Sequence, residues 1–147
     1  MPLHPAKPSL CGYANMPDVV TCILIQEEKI LVLKRSNQVN TYQGKWACIS
    51  GYIEPGDDVM ERAYIEIKEE TGLHRNQVQL LARGDPIEFH DTQEKQDWRI
   101  HSFLFSSQTN KVVIDWEHET YAWITLEQLD DYDLVPKLKE TVRKMLP

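Results

Sequence analysis

The run Val19-Val20-Thr21-Cys22-Ile23-Leu24-Ile25 is apolar apart from one threonine and rich in β-branched residues, which predicts a buried strand. A polar turn at 26–29 leads into Ile30-Leu31-Val32-Leu33, so the two runs predict a hairpin. Residues 36–45 are polar and end near Gly44, as a surface loop would. Trp46-Ala47-Cys48-Ile49-Ser50 then predicts a short strand closing on Gly51. Beyond Pro55-Gly56 the pattern becomes helical over about 57–71 and stops at Gly72, the usual residue just past a helix end. Strands are predicted at 77–82, 87–90 and 100–105, with a long polar loop at 91–97. Short strands at 112–114 and 122–124 flank an acidic loop at 117–119, and 126–130 suggests a short helix. Asp133 is placed to cap a last helix in which Leu134, Val135, Leu138, Val142 and Met145 recur at helical spacing. Mixed strands around two substantial helices predict an α/β sandwich with a mixed sheet.

Composition narrows the partners. A chain of 147 residues fits one domain. With 16 Lys+Arg against 23 Asp+Glu the net charge is −7, which disfavours a phosphate-tracking surface for a nucleic-acid polymer and would be repelled by an anionic membrane. A small anionic substrate is compatible only where local cations or a metal reverse the sign. Cys11, Cys22 and Cys48 are odd in number and lack C-x-x-C spacing, so they are expected as free thiols in a reducing compartment. Residues 1–17 hold Pro2, Pro5, Pro8 and Pro17 without the apolar core of a signal peptide, and are expected as a proline-rich arm ahead of a domain at 18–147. The longest apolar run falls far short of the roughly 20 residues a membrane helix needs. The expected compartment is the cytoplasm.

The predicted helix carries the candidate chemistry. On a wheel of about 100° per residue, Val59, Ala63 and Ile67 form an apolar stripe widened by Met60 and Tyr64. Glu61 and Lys68 lie opposite, as solvated charges should. Glu66 and Glu70 do not: four apart, they project from the flank of the stripe, and Glu69 lies close to the same flank. Carboxylates gathered at a core-facing edge repel one another. A bound cation relieves that repulsion, and all-oxygen ligands suit Mg²⁺ or Mn²⁺. Pairing with Arg62, Lys34, Arg35 or Lys45 would relieve it equally well.

The stretch Gly51-x5-Asp57-x7-Ile65-Glu66-Ile67-Lys68-Glu69-Glu70-Thr71-Gly72-Leu73 resembles the Nudix box, G-x5-E-x7-R-E-U-x-E-E-x-G-U with U aliphatic, at seven of its nine specified positions. Lys34-Arg35 after a strand, Gly44-Lys45-Trp46, and Trp123-Ile124-Thr125-Leu126-Glu127-Gln128-Leu129 are similar to further elements of the MutT-like Nudix hydrolases. The resemblance spans about 18–146.

It implies an α/β/α sandwich and a divalent-metal pyrophosphohydrolase acting on a nucleoside diphosphate joined to another group, NDP-X. Glu66, Glu69 and Glu70 are then the implied catalytic and metal-holding residues, with Gly51 at the metal and substrate site. Glu69 is the first candidate for the base, and Glu117, His118, Glu119, Glu94 and Asp97 are loop alternatives. Arg35, Lys34 and Lys45, with Glu119, are the implied substrate contacts, Arg35 foremost because a guanidinium matches phosphate bidentately. Arg83 and Arg99 are further cations to be placed. Trp46, Tyr52, Phe89, Trp98, Phe103 and Tyr121 are the aromatics available for stacking on a base. Homodimers are common among such proteins, so pairing is an open expectation.

Two residues depart from the pattern. Asp57 replaces a glutamate, and its shorter carboxylate suits a helix N-cap better than a ligand. Ile65 replaces the arginine that orients the acids, a task for which Arg62, one turn earlier, is the expected substitute. These departures also fit a non-catalytic Nudix-fold module that binds nucleotide or protein. A prenyl-diphosphate isomerase of related fold is a weaker match, because Ser50 stands where its cysteine precedes the box glycine.

Overall fold

The computed structural model describes residues 16–146. The proline-rich arm expected at 1–17 lies almost wholly outside the described residues, and Cys11 with it.

The hairpin forms as its sequence demands. Strand β1 (Asp18–Gln26) turns through Glu27 and Glu28, both at positive φ, into β2 (Lys29–Arg35), pairing Ile25 with Ile30. Two successive left-handed residues are what a two-residue hairpin turn compatible with strand twist requires. The predicted strand at 46–50 splits into β3 (Trp46–Ala47), which pairs antiparallel with β2, and β4 (Ile49–Ile53), which crosses to β1. The chain thus changes neighbours at Cys48, and the register sets Val20 opposite Gly51.

Helix α1 (Val59–Thr71) follows, then β5 (Val78–Arg83), β6 (Ile87–Asp91), β7 (Gln96–Ser107), β8 (His118–Ile124) and helix α2 (Leu138–Met145). Short 3₁₀ turns occupy Arg75–Gln77 and Leu126–Asp131. One mixed sheet runs β3-β2-β1-β7-β5, with β4 on β1, β6 on β7 and β8 on β2. The parallel member is β1 against β7; the other pairs are antiparallel.

Alternation along β1 divides the core. Val20, Cys22 and Leu24 face α1 with Leu31, Leu33, Ile49, Phe103 and Phe105, whereas Ile23 faces α2 with Ile30, Val32, Leu104 and Ile124. The result is the α/β/α sandwich. Buried Cys22 and Cys48 are free thiols, one on each face.

Four expectations need correction. The polar segment 91–97 is not a long loop: β6 and β7 pair out to Asp91 and Gln96, leaving a tight hairpin. Residues 112–114 form no strand; Val113 N–H donates to Thr71 O instead, so this apolar segment runs along the end of α1. Asp58, not Asp57, caps α1, its side chain accepting from the Glu61 N–H. The last helix begins at Leu138 rather than 134, and Asp133 pairs with Lys45 Nζ at 2.9 Å instead of capping it.

Candidate active site

Helix α1 ends cleanly because Gly72, at φ 77°, returns its N–H to Lys68 O. That fixes the phase of the helix against the sheet, and the wheel resolves as its sequence implies. Ala63 and Ile67 are buried in the core, and Glu66 and Glu70 are buried beside them at 0% and 1% exposure. Glu69 stays exposed on the rim, although its charge still reaches Glu66.

The Glu66 carboxylate sits on the backbone of Gly51: a Cβ there would fall 2.1 Å from Glu66 Cδ. Glu70 reaches the neighbouring strand residue, with Ser50 N–H 3.4 Å from Oε1. His118 Nε2 lies 3.8 Å from the same oxygen. Among the described residues, Glu66 Oε1, Glu66 Oε2 and Glu70 Oε2 are buried with no hydrogen-bond partner. Burial raises the pKa of Glu66, and burial together with the Glu66 charge lifts Glu70 well above the carboxylate range.

Arg62 takes up the role expected of it. It holds Asp57 through Nη2 at 3.0 Å and Nε at 3.1 Å, and brings Nη1 to 3.5 Å from Glu66 Oε2. Asp57 Oδ2 also accepts the Glu54 N–H, which, with Arg62, keeps its pKa low. Asp57 is thus a brace between the loop before the helix and Arg62. Ile65, in the position of the box arginine, is 42% exposed.

The set of donors fits a hard divalent cation. Three sequestered carboxylate oxygens lack a hydrogen-bond partner among the described residues. The pair cannot both ionise at low cost with the Arg62 contact at 3.5 Å as its one Lys or Arg partner among those residues. Among the described residues no three Asp, Glu, His or Cys side chains are gathered in ligand geometry. Glu66 and Glu70 are therefore a two-carboxylate mount, suited to a cation that keeps water or phosphate oxygens in its remaining positions.

The predicted cations divide sharply. Arg35 is buried at the end of β2, its Nε donating to Thr41 O at 2.9 Å and Nη2 to Thr41 Oγ1 at 3.1 Å. Burial lowers its pKa while the charges of Glu70 and Tyr52 pull the other way, which puts Arg35 within electrostatic reach of the acids. It also lines a cleft open to solvent, together with Thr21, Tyr42, Ser50, Phe89 and Trp98. Lys34 instead pairs with Glu119 at 2.9 Å and Lys45 with Asp133; neither lysine nor Glu119 lines the cleft. Arg83 covers the Phe103 ring, and Arg99 pairs with Asp18 and Glu88.

Of the aromatics, Phe89 and Trp98 face the cleft, and Tyr52 supports Trp98 with ring centroids 5.8 Å apart. Phe103 is core, Tyr121 packs against it, and Trp46 meets Tyr132 edge-on. Glu94 and Asp97 belong to the β6–β7 hairpin, where Asp97 contacts His90. Sequence reasoning did not find the cleft, Thr41, Tyr42 or Asp115. Asp115 lies three residues before His118, a spacing at which one turn brings side chains together, and that was the available signal.

The NUDIX domain family profile matches residues 16–147. Nucleoside triphosphatase NudI of Escherichia coli O17:K52:H18 is 30% identical over 131 residues, covering 84% of this chain and 93% of that protein. A NUDIX hydrolase from Nitrosomonas europaea superposes with a TM-score of 0.74 at 15% identity, covering 89% of this chain and 88% of its own. A bifunctional NMN adenylyltransferase/ADP ribose pyrophosphatase from Francisella tularensis, solved with AMP and a manganese ion, gives 0.79 at 16% identity, covering 92% of this chain and 42% of that one. Box, fold and relatives agree that this chain belongs to the Nudix family, as an enzyme of its nucleotide pyrophosphohydrolase class.

Proposed function

We propose that the chain hydrolyses NDP-X compounds with Mg²⁺, or Mn²⁺ in its place, held by Glu66 and Glu70, and that a nucleoside triphosphate is its first substrate to test. The observation that carries this reading is the set of three buried carboxylate oxygens of Glu66 and Glu70 that have no hydrogen-bond partner among the described residues, with Arg35 within electrostatic reach of Glu70. A nucleoside triphosphate is an NDP-X compound whose X is phosphate, and the NudI relative is named for that substrate class.

A diphosphate resists hydrolysis because its anionic oxygens repel nucleophiles. The cation, when bound, would withdraw that charge and acidify a water. The protein supplies the rest. Glu66 and Glu70 fix the cation, Arg35 offers a guanidinium to the phosphate chain, and Phe89 and Trp98 flank the space in which a base can stack. Glu69, exposed beside Glu66, accepts the proton of the attacking water. Water adds to phosphorus, the P–O bond of the anhydride breaks, and nucleoside monophosphate and pyrophosphate leave.

The test is a panel of nucleoside triphosphates, NDP-sugars, ADP-ribose, NADH and dinucleoside polyphosphates assayed with Mg²⁺. Release of phosphate-ended products, abolished in Glu70→Gln, is the expected result. No turnover across the panel, with nucleotide still bound, would overturn the reading in favour of a binding module. The setting that suits reduced Cys22 and Cys48 is the cytoplasm.

A further inference from the structure

Residues 115–118 make a tight turn in which His118 N–H donates to Asp115 O at 3.2 Å and His118 Nδ1 meets Asp115 Oδ1 at 2.7 Å. The turn is strapped to the end of β2. Ser36 N–H donates to Glu117 O at 2.7 Å, and Ser36 Oγ donates to Trp116 O at 3.0 Å. Both partners of the turn are shielded, the His118 side chain at 2% exposure and that of Asp115 at 15%. An ionised carboxylate only accepts, so the proton of this contact sits on Nδ1, and Nε2 is the atom turned towards Glu70.

The two oxygens of Glu70 are treated differently. Oε1 has Ser50 N–H at 3.4 Å on one side and His118 Nε2 at 3.8 Å on the other, whereas Oε2 has no partner among the described residues. At 3.8 Å Nε2 is beyond hydrogen-bond distance of Oε1, so the imidazole acts on the carboxylate by its shape and position. Oε1 is thus held on the side of Ser50 and His118, and Oε2 is the oxygen turned away from them.

We propose that His118, oriented by Asp115, is a positioning residue that sets the Glu70 carboxylate so that Oε2 is presented to the metal. The inference rests on the reading that Glu70 holds the cation. Carboxylate–histidine supports of this kind act on metal affinity through the ligand they orient, and their loss costs roughly 10–100-fold.

The test is Mn²⁺ titration of the full chain without substrate, read from the loss of the free Mn²⁺ electron paramagnetic resonance signal. His118→Ala should bind Mn²⁺ about 10–100-fold more weakly, and Asp115→Leu, which removes the acceptor but keeps comparable bulk, should weaken binding in the same direction. His118→Gln, which can return an amide N–H to Oε1, should recover part of the loss. Melting curves in chelator give the folded fraction of each variant, so affinity is counted per folded molecule. A purely structural role would lower the melting temperature and leave that affinity unchanged, and this result would overturn the proposal. Should His118→Ala not fold, unaltered Mn²⁺ binding by Asp115→Leu overturns it equally. Wild-type protein that takes up no Mn²⁺ would instead sink the underlying metal reading, and the proposal with it.

Discussion

The Glu66 carboxylate occupies the space that any side chain on Gly51 would need, with Cδ only 2.1 Å from the position of a Cβ. The contact is made across elements, because β4 carries Gly51 beside Val20 while α1 lowers Glu66 onto it. Glycine is required here by close approach and not by a left-handed backbone. Gly51→Ala should therefore displace Glu66 by an ångström or more. Misplacement on that scale costs on the order of 100-fold in turnover, and overpacking should cost a further 1–3 kcal/mol or so of stability. Steady-state assays with a nucleoside triphosphate, beside a chemical melt, separate the two effects.

Stability of the metal-free protein should fall as pH rises. Burial raises the folded-state pKa of Glu66, and burial with the Glu66 charge raises that of Glu70 further, against an ordinary value of 4.5. A group whose folded pKa exceeds its unfolded one contributes stability in full below the unfolded value and loses it as pH climbs through the folded value. The window thus opens at 4.5 and extends upward. Melting temperature in chelator should decline as pH rises above 4.5, with the slope reduced in Glu70→Gln. Added Mg²⁺ should restore stability at the upper end for the wild type but not for that variant.

Arg62 carries a task that Ile65 cannot. Its guanidinium spans Asp57 and Glu66, whereas Ile65 stands 42% exposed. Arg62→Met, which keeps the stem and removes the charge, should weaken metal binding and turnover by roughly 10–100-fold. Ile65→Arg alone should shift stability by no more than about 0.5 kcal/mol, because the site is on the surface and the bracing is already provided. Mn²⁺ titration and turnover of both variants test the assignment; equal effects at the two positions would reject it.

How much of this was legible beforehand depended on the range of the interactions. The β1–β2 hairpin, the Gly72 stop and the flank carrying Glu66 and Glu70 follow from neighbours a few residues apart, and sequence periodicity records those. The apolar trio 112–114 has strand composition, but its Val113 N–H is claimed by Thr71 O at the end of α1, a tertiary choice that composition does not encode. Asp133 looks like a cap until Lys45, distant in sequence, is seen to hold it. The cleft was invisible for the same reason, since Thr21, Trp98 and Leu138 meet only when three elements pack. As letters, Arg35 led Lys34 and Lys45 only by its guanidinium. Burial and the Thr41 bonds single out Arg35, and ion pairs commit the two lysines elsewhere.

Trp98 and Arg35 both line the cleft and should fail in different kinetic terms. Trp98 is braced by Tyr52, and on the proposed reading it is the aromatic on which a base stacks. Stacking of a base on an aromatic is worth about 1–3 kcal/mol, so Trp98→Ala should raise KM for a nucleoside triphosphate roughly 5–150-fold. The same variant should be indifferent towards inorganic triphosphate, which has no base to stack. On the proposed reading, Arg35 acts where charge develops. Its Nε and Nη2 are already spent on Thr41, so the guanidinium is held rigidly before substrate arrives. Arg35→Lys keeps the charge but loses that anchorage, and should lower kcat by about 100-fold for both compounds. Steady-state kinetics of the two variants on the two substrates give four numbers. If Trp98→Ala slows inorganic triphosphate as much as the nucleotide, the cleft does not read a base.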